Sequence, residues 1–184
     1  MDGWLVKPVR EASLRARILE QSEPEQEELE TFLASGQEAP LAHMHILLAE
    51  DNPINALVAR KHLESLGASV SHVCDGRAAV LAAMQARNGE APPIDAILMD
   101  MRMPELDGPG AARLIREAEA ALGAARVRIV ALTANAFAQD RRECLEAGVD
   151  DFLAKPFEPQ TLARILNPRR AAFEPNTQAR IFVS

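Results

Sequence analysis

The run Ile94-Asp95-Ala96-Ile97-Leu98-Met99-Asp100-Met101-Arg102-Met103-Pro104-Glu105-Leu106-Asp107-Gly108 constrains the chain most. It opens as a short apolar stretch, ends in an acid and passes into turn residues. Such a stretch reads as a strand buried on both faces of a parallel sheet. Open parallel sheets bind ligands outside the carboxyl ends of their strands, which is where Asp100 stands. A second apolar run, residues 45–49, leads directly into Glu50 and Asp51. Three carboxylates at one sheet edge repel one another unless a cation sits between them. Donors that are all oxygen suit Mg2+. Two later apolar runs end in Thr133 and in Lys155-Pro156.

Strand-like and helix-like periods alternate from residue 44 to residue 167. Strands are predicted over 45–49, 68–73, 94–99, 127–132 and 151–154. The first helix has Asn52 as its capping residue, Pro53 in its first turn and Gly67 as its stop. Its apolar residues Ile54, Leu57, Val58, Leu63 and Leu66 have helical spacing. Further helices are predicted over 77–86, 110–120, 134–147 and 158–166, with Leu114 and Ile115 inward. Five strands joined by crossover helices imply a parallel sheet covered on both faces.

The acid pair Glu50-Asp51, the lone Asp100, the hydroxyl of Thr133 and Lys155-Pro156, in that order, resemble the receiver domain of two-component response regulators. The resemblance implies an α/β, flavodoxin-like, three-layer doubly wound fold. Its five-stranded parallel sheet has the order 2-1-3-4-5, with five helices. It implies Asp100 as the phosphoacceptor, taking a phosphoryl group from the phosphohistidine of a histidine kinase or a histidine phosphotransfer domain. Glu50, Asp51, Asp100 and the backbone carbonyl of Arg102 are implied as Mg2+ ligands. Lys155 would pair with a phosphoryl oxygen, and Thr133 would hydrogen-bond the phosphoryl group. Phe152 occupies the switch-aromatic position and would leave the surface on phosphorylation. Arg102 and Asn135 occupy positions that tune phosphoryl lifetime, and the Lys155–Pro156 bond is expected to be cis. The stretches Ala49-Glu50-Asp51-Asn52-Pro53-Ile54-Asn55 and Leu132-Thr133-Ala134-Asn135-Ala136 resemble the receivers of hybrid sensor histidine kinases.

Other readings compete. Asp100 alone would pass for a helix-capping residue, and Glu50-Asp51 for solvated loop acids. A haloacid-dehalogenase-like phosphatase needs a second acid two residues after the first, where this chain has Arg102. No GxxxxGK[ST] stretch supports nucleotide binding. None of His43, His45, His62 and His72 lies in a phosphotransfer or kinase motif, so the chain by itself is not a kinase. A stand-alone receiver acting as a phosphate sink, or as a docking module that is never phosphorylated, is the alternative of another class.

The rest of the chain is read from charge and repetition. The net charge of −7 is localised: seven glutamates and no base lie between Glu20 and Leu41. Residues 20–43 are therefore expected to be an acidic linker or helix. The remainder is balanced and has no basic stripe, which argues against nucleic acid as a partner. Asp2-Gly3-Trp4-Leu5-Val6-Lys7-Pro8 mirrors Asp150-Asp151-Phe152-Leu153-Ala154-Lys155-Pro156, and Leu14 repeats Leu162 at the same offset. Residues 1–19 thus read as the last strand and helix of a preceding receiver. Residues 168–184 are expected to form an irregular tail. Cys74 and Cys144 lack metal spacing and are expected as reduced thiols. No apolar run approaches ~18 residues, so no membrane contact is expected of this chain. A cytoplasmic location follows, alone or within a membrane-anchored kinase. A weak homodimer is left open.

Overall fold

The computed structural model describes residues 39–134, 138–167 and 181–182. The repeat at 1–19, the glutamate run over 20–38, Asn135 and Phe137 lie outside these residues. The elements are β1 (His45–Ala49), α1 (Pro53–Ser65), β2 (Ser69–Val73), α2 (Gly76–Arg87), β3 (Ala96–Asp100), α3 (Gly108–Leu122), β4 (Arg128–Thr133), α4 (Ala138–Glu146), β5 (Asp151–Ala154), α5 (Pro159–Leu166) and β6 (Ile181–Phe182). All neighbouring strands run parallel, in the order β2-β1-β3-β4-β5-β6. The expected order 2-1-3-4-5 is present, with one strand more. Ile181 and Phe182, assigned to an irregular tail, pair with Phe152 and Leu153. An open sheet edge offers unpaired backbone groups, and this short apolar segment takes them.

The central strands are buried on both sides because successive residues address opposite layers. Leu47, Ile97, Met99, Ile129 and Phe152 pack toward Ala79, Ala83, Ala112 and Ile115. Ile46, Leu48, Leu98, Val130 and Leu153 pack toward Ala59, Leu63, Leu162 and Ile165. The edge strand β2 is mostly exposed, in keeping with its serines and histidine.

The five apolar residues with helical spacing in α1 divide between two faces. Ile54, Leu57 and Val58 are exposed, at 71%, 47% and 46%, while Ala56, Ala59, Leu63 and Leu66 are buried. At about 100° per residue these two sets form opposite stripes of one helix. The alanine stripe faces the sheet, where small side chains allow close approach; the larger stripe faces out. Likewise Ile115 is buried, as expected, but Leu114 is exposed.

The amino ends of β4 and β5 are held by charge. Glu119 is 4% exposed. It accepts hydrogen bonds from Arg116 Nη1 (2.6 Å), Arg87 Nη2 (3.2 Å) and the backbone N–H of Val127 (2.6 Å). Arg116 also donates to Asp150 Oδ2 (2.7 Å) and to the carbonyls of Gly148 and Val127. Asp150 Oδ2 accepts from the Ile129 N–H as well. Burying charge is tolerable only when it is paired and hydrogen-bonded, as it is here.

Candidate active site

The carboxyl ends of β1, β3, β4 and β5 bring the site residues together. Glu50 and Asp51 follow β1, Asp100 closes β3, Thr133 closes β4, and Lys155 follows β5. The ligand oxygens of Glu50, Asp51 and Asp100 all lie within 4.8 Å of one another. Glu50 is buried and Asp51 exposed. The Lys155 ammonium donates to Glu50 Oε2 (2.5 Å) and Asp100 Oδ2 (2.9 Å). One ammonium against three carboxylates leaves a negative excess, surrounded by oxygen donors. A divalent hard cation fits that donor set.

The loops are tied from below. The Lys155 N–H donates to the Thr133 carbonyl at 2.8 Å, and the Met101 N–H to the Leu132 carbonyl at 3.3 Å. Asp100 Oδ1 accepts from the Arg102 N–H at 3.3 Å. The Lys155–Pro156 bond is cis, as expected. Gly108 must pass close behind Asp100: a Cβ there would lie 2.5 Å from the Asp100 carbonyl oxygen and 2.8 Å from Met101 Cα. Phe152 is the residue at the switch-aromatic position. It is 4% exposed, inside the core, with the Arg141 guanidinium 5.2 Å from its ring centre.

Two residues were not singled out from the sequence. Asn55, in the first turn of α1, donates through Nδ2 to Glu50 Oε1 at 2.9 Å. His72 Nε2 lies 2.9 Å from the Glu50 carbonyl oxygen, and since a carbonyl only accepts, Nε2 carries the proton. For Asn55 the available signal was its place three residues after the Asn52 cap, where Glu or Gln would complete a capping box.

Residues 46–167 match the family model described as the response regulator receiver domain. The chain belongs to this family. The receiver is 42% identical over 121 residues to the sensor protein GacS of Pseudomonas syringae pv. syringae, covering 66% of this chain and 13% of that protein. It is similar to the crystallised receiver domain of sensor histidine kinase PA1611 from Pseudomonas aeruginosa PAO1, which has a magnesium ion coordinated in its active site cleft. Identity there is 50% and the TM-score 0.57, over 68% of this chain and 95% of that one. It is also similar to a Saccharomyces cerevisiae co-crystal structure of the histidine phosphotransfer protein Ypd1 and the receiver domain of the response regulator Ssk1. Identity is 30% and the TM-score 0.60, over 68% of this chain and 88% of that chain. The receiver thus spans a small part of the sensor kinases it resembles. Among the described residues no helix is long and apolar enough to cross a membrane.

Proposed function

We propose that this chain is the phosphoacceptor receiver of a two-component phosphorelay, most like the receiver of a hybrid sensor histidine kinase, and that it works in the cytoplasm. A phosphohistidine on a histidine kinase or histidine phosphotransfer domain is the donor. An Asp100 carboxylate oxygen attacks phosphorus, the P–N bond breaks, and the histidine leaves as imidazole. A carboxylate is a weak nucleophile, so charge on the incoming group must be neutralised. Mg2+, held by Glu50, Asp51, Asp100 and the backbone carbonyl of Arg102, supplies that neutralisation when bound. Lys155 moves from Asp100 to a phosphoryl oxygen, as a point charge on a flexible stem. Thr133 donates its hydroxyl to the same group. The switching movement would involve the loops carrying Thr133 and Lys155, with Phe152 as the switch aromatic.

The observation that carries this reading is the Lys155 ammonium bridging Glu50 and Asp100 beside Asp51. The outward stripe Ile54, Leu57 and Val58 lies on the helix that starts beside the site. An exposed apolar patch of this kind suits a docking partner, here the phosphodonor domain. The test is incubation with acetyl phosphate and Mg2+, with the label located by mass spectrometry. Asp100→Asn should lose the label and remain folded. Labelling of that variant at the wild-type level would remove Asp100 from its role. Residues 1–19 are proposed to be the end of a preceding receiver, and 20–43 an acidic linker or helix whose end joins the receiver core at buried Leu41.

A further inference from the structure

We infer that Asn55 is a positioning residue for the metal site, fixing the Glu50 carboxylate so that its second oxygen faces the cation. The inference rests on the assignment of Glu50 to that site. Glu50 is 1% exposed, and its two side-chain oxygens have different partners. Oε1 accepts from Asn55 Nδ2 at 2.9 Å, and Oε2 accepts from Lys155 Nζ. The same ammonium reaches Asp100 Oδ2, so Oε2 lies on the Asp100 side and Oε1 on the helix side.

The two donors differ in what phosphorylation does to them. Phosphoryl oxygens are strong acceptors and would draw Lys155 away from Glu50. A buried carboxylate that loses its donors is costly and turns to find others. Asn55 stands on the first turn of α1, whose cap Asn52 accepts from the N–H groups of Ile54 and Asn55. Its amide is therefore anchored independently of the phosphoryl group. It holds Oε1 in both states and stops the carboxylate from rotating when Lys155 leaves.

The residue type agrees. Residue 55 is a place where an acid is favoured by the free N–H groups of a helix start, yet the first turn of α1 contains none. A carboxylate at 55 would face Glu50 Oε1. A neutral donor meets both demands.

The test uses the full chain as wild type, Asn55→Leu and Asn55→Gln. Residue 55 is exposed, so the leucine loses no packing, and leucine is the better helix former. Mg2+ is titrated by calorimetry and by the rise in melting temperature, with and without beryllofluoride. Asn55→Leu should need about tenfold more Mg2+ than wild type, the scale on which outer-sphere partners act. Its metal-free melting temperature should fall by a few degrees, since buried Glu50 loses a donor, and the Mg2+ titrations are run well below both transitions. Asn55→Gln, which keeps the amide, should recover most of the affinity. Equal Mg2+ midpoints in wild type and Asn55→Leu would overturn the inference and leave the site standing. So would an Asn55→Gln variant no better than Asn55→Leu. A wild type that gains nothing from Mg2+ would overturn the metal site itself, and the role of Asn55 with it.

Discussion

Lys155 and Glu50 are 105 residues apart in the chain, and their side chains meet at 2.5 Å. The contact joins the strand ends of β1 and β5, which are not neighbours in the sheet. Replacing Lys155 by Met would leave Glu50 buried and Asp100 beside it with no ammonium between them. Breaking a buried pair by removing one partner costs about 3 kcal/mol at the lower end of the usual range, which suits a lysine that is 17% exposed. Urea unfolding of Lys155→Met without metal should show that loss, and Mg2+ should restore part of it by neutralising the same acids.

Asp51 is the exposed member of the acid cluster, so its charge serves the cation more than the fold. Mg2+ that binds only the native state should raise the melting temperature of the wild type. Asp51→Asn should shorten that rise at any given Mg2+ concentration while leaving the metal-free melting temperature near wild type. Identical rises in the two proteins would remove Asp51 from the metal site.

Gly108→Ala places a methyl group against backbone atoms of Asp100 and Met101, which cannot turn aside as a side chain can. Overpacking of this kind costs about 1–3 kcal/mol. The variant should melt earlier, and because the displaced atoms carry Asp100, it should also label more slowly with acetyl phosphate. A drop in stability with an unchanged labelling rate would mean that the β3–α3 loop yields without moving the acceptor.

His62, on α1, turns its ring edge-on to Phe157, just before α5, at 6.4 Å, with Nδ1 buried and unpartnered. Burial lowers its pKa from the ordinary 6.5, against smaller opposing effects of the Phe157 backbone and the Glu158 charge. The neutral ring is therefore the form the fold prefers, and the unfolded chain binds the extra proton. Stability from this residue is complete above pH 6.5 and is lost as the pH falls from there through the folded-state pKa. Equilibrium unfolding across that window should show the wild type losing stability relative to His62→Phe as the pH falls.

Beryllofluoride with Mg2+ should slow amide exchange in the loops after β4 and β5, where Thr133 and Lys155 would be drawn to the phosphoryl mimic. If exchange changes only around Asp100, the receiver acts as a phosphate sink rather than a switch.

The site was legible because its residues follow their strands directly: an apolar run that ends in Asp100 or in Glu50-Asp51 states both the strand and the place of its acid. The cap at Asn52 was equally plain, since its oxygen serves N–H groups only two and three residues on. Elsewhere periodicity was ambiguous. In α1 both Ile54-Leu57-Val58 and Ala56-Ala59-Leu63 have helical spacing, and only the narrow space above the sheet selects the alanines. Residues whose role depends on a distant partner left no local pattern. Glu119 reads as one more helix acid until Arg87, Arg116 and the Val127 N–H close around it. The pairing of Ile181-Phe182 with β5 depends on an edge left open by other elements, which the tail sequence does not record.

The ties at Glu119 and Asp150 give the sheet a mechanical asymmetry. They clamp β4 and β5 at their amino ends, while Thr133 and Lys155 stand at the opposite margin. Six residues of strand put the two margins of β4 about 20 Å apart. The sheet is thus pinned by charge at one rim and carries the reacting residues at the other. A partner gripping the pinned rim would stand about 20 Å from the phosphoryl group, so a partner that tells the two states apart is expected at the rim that carries the site.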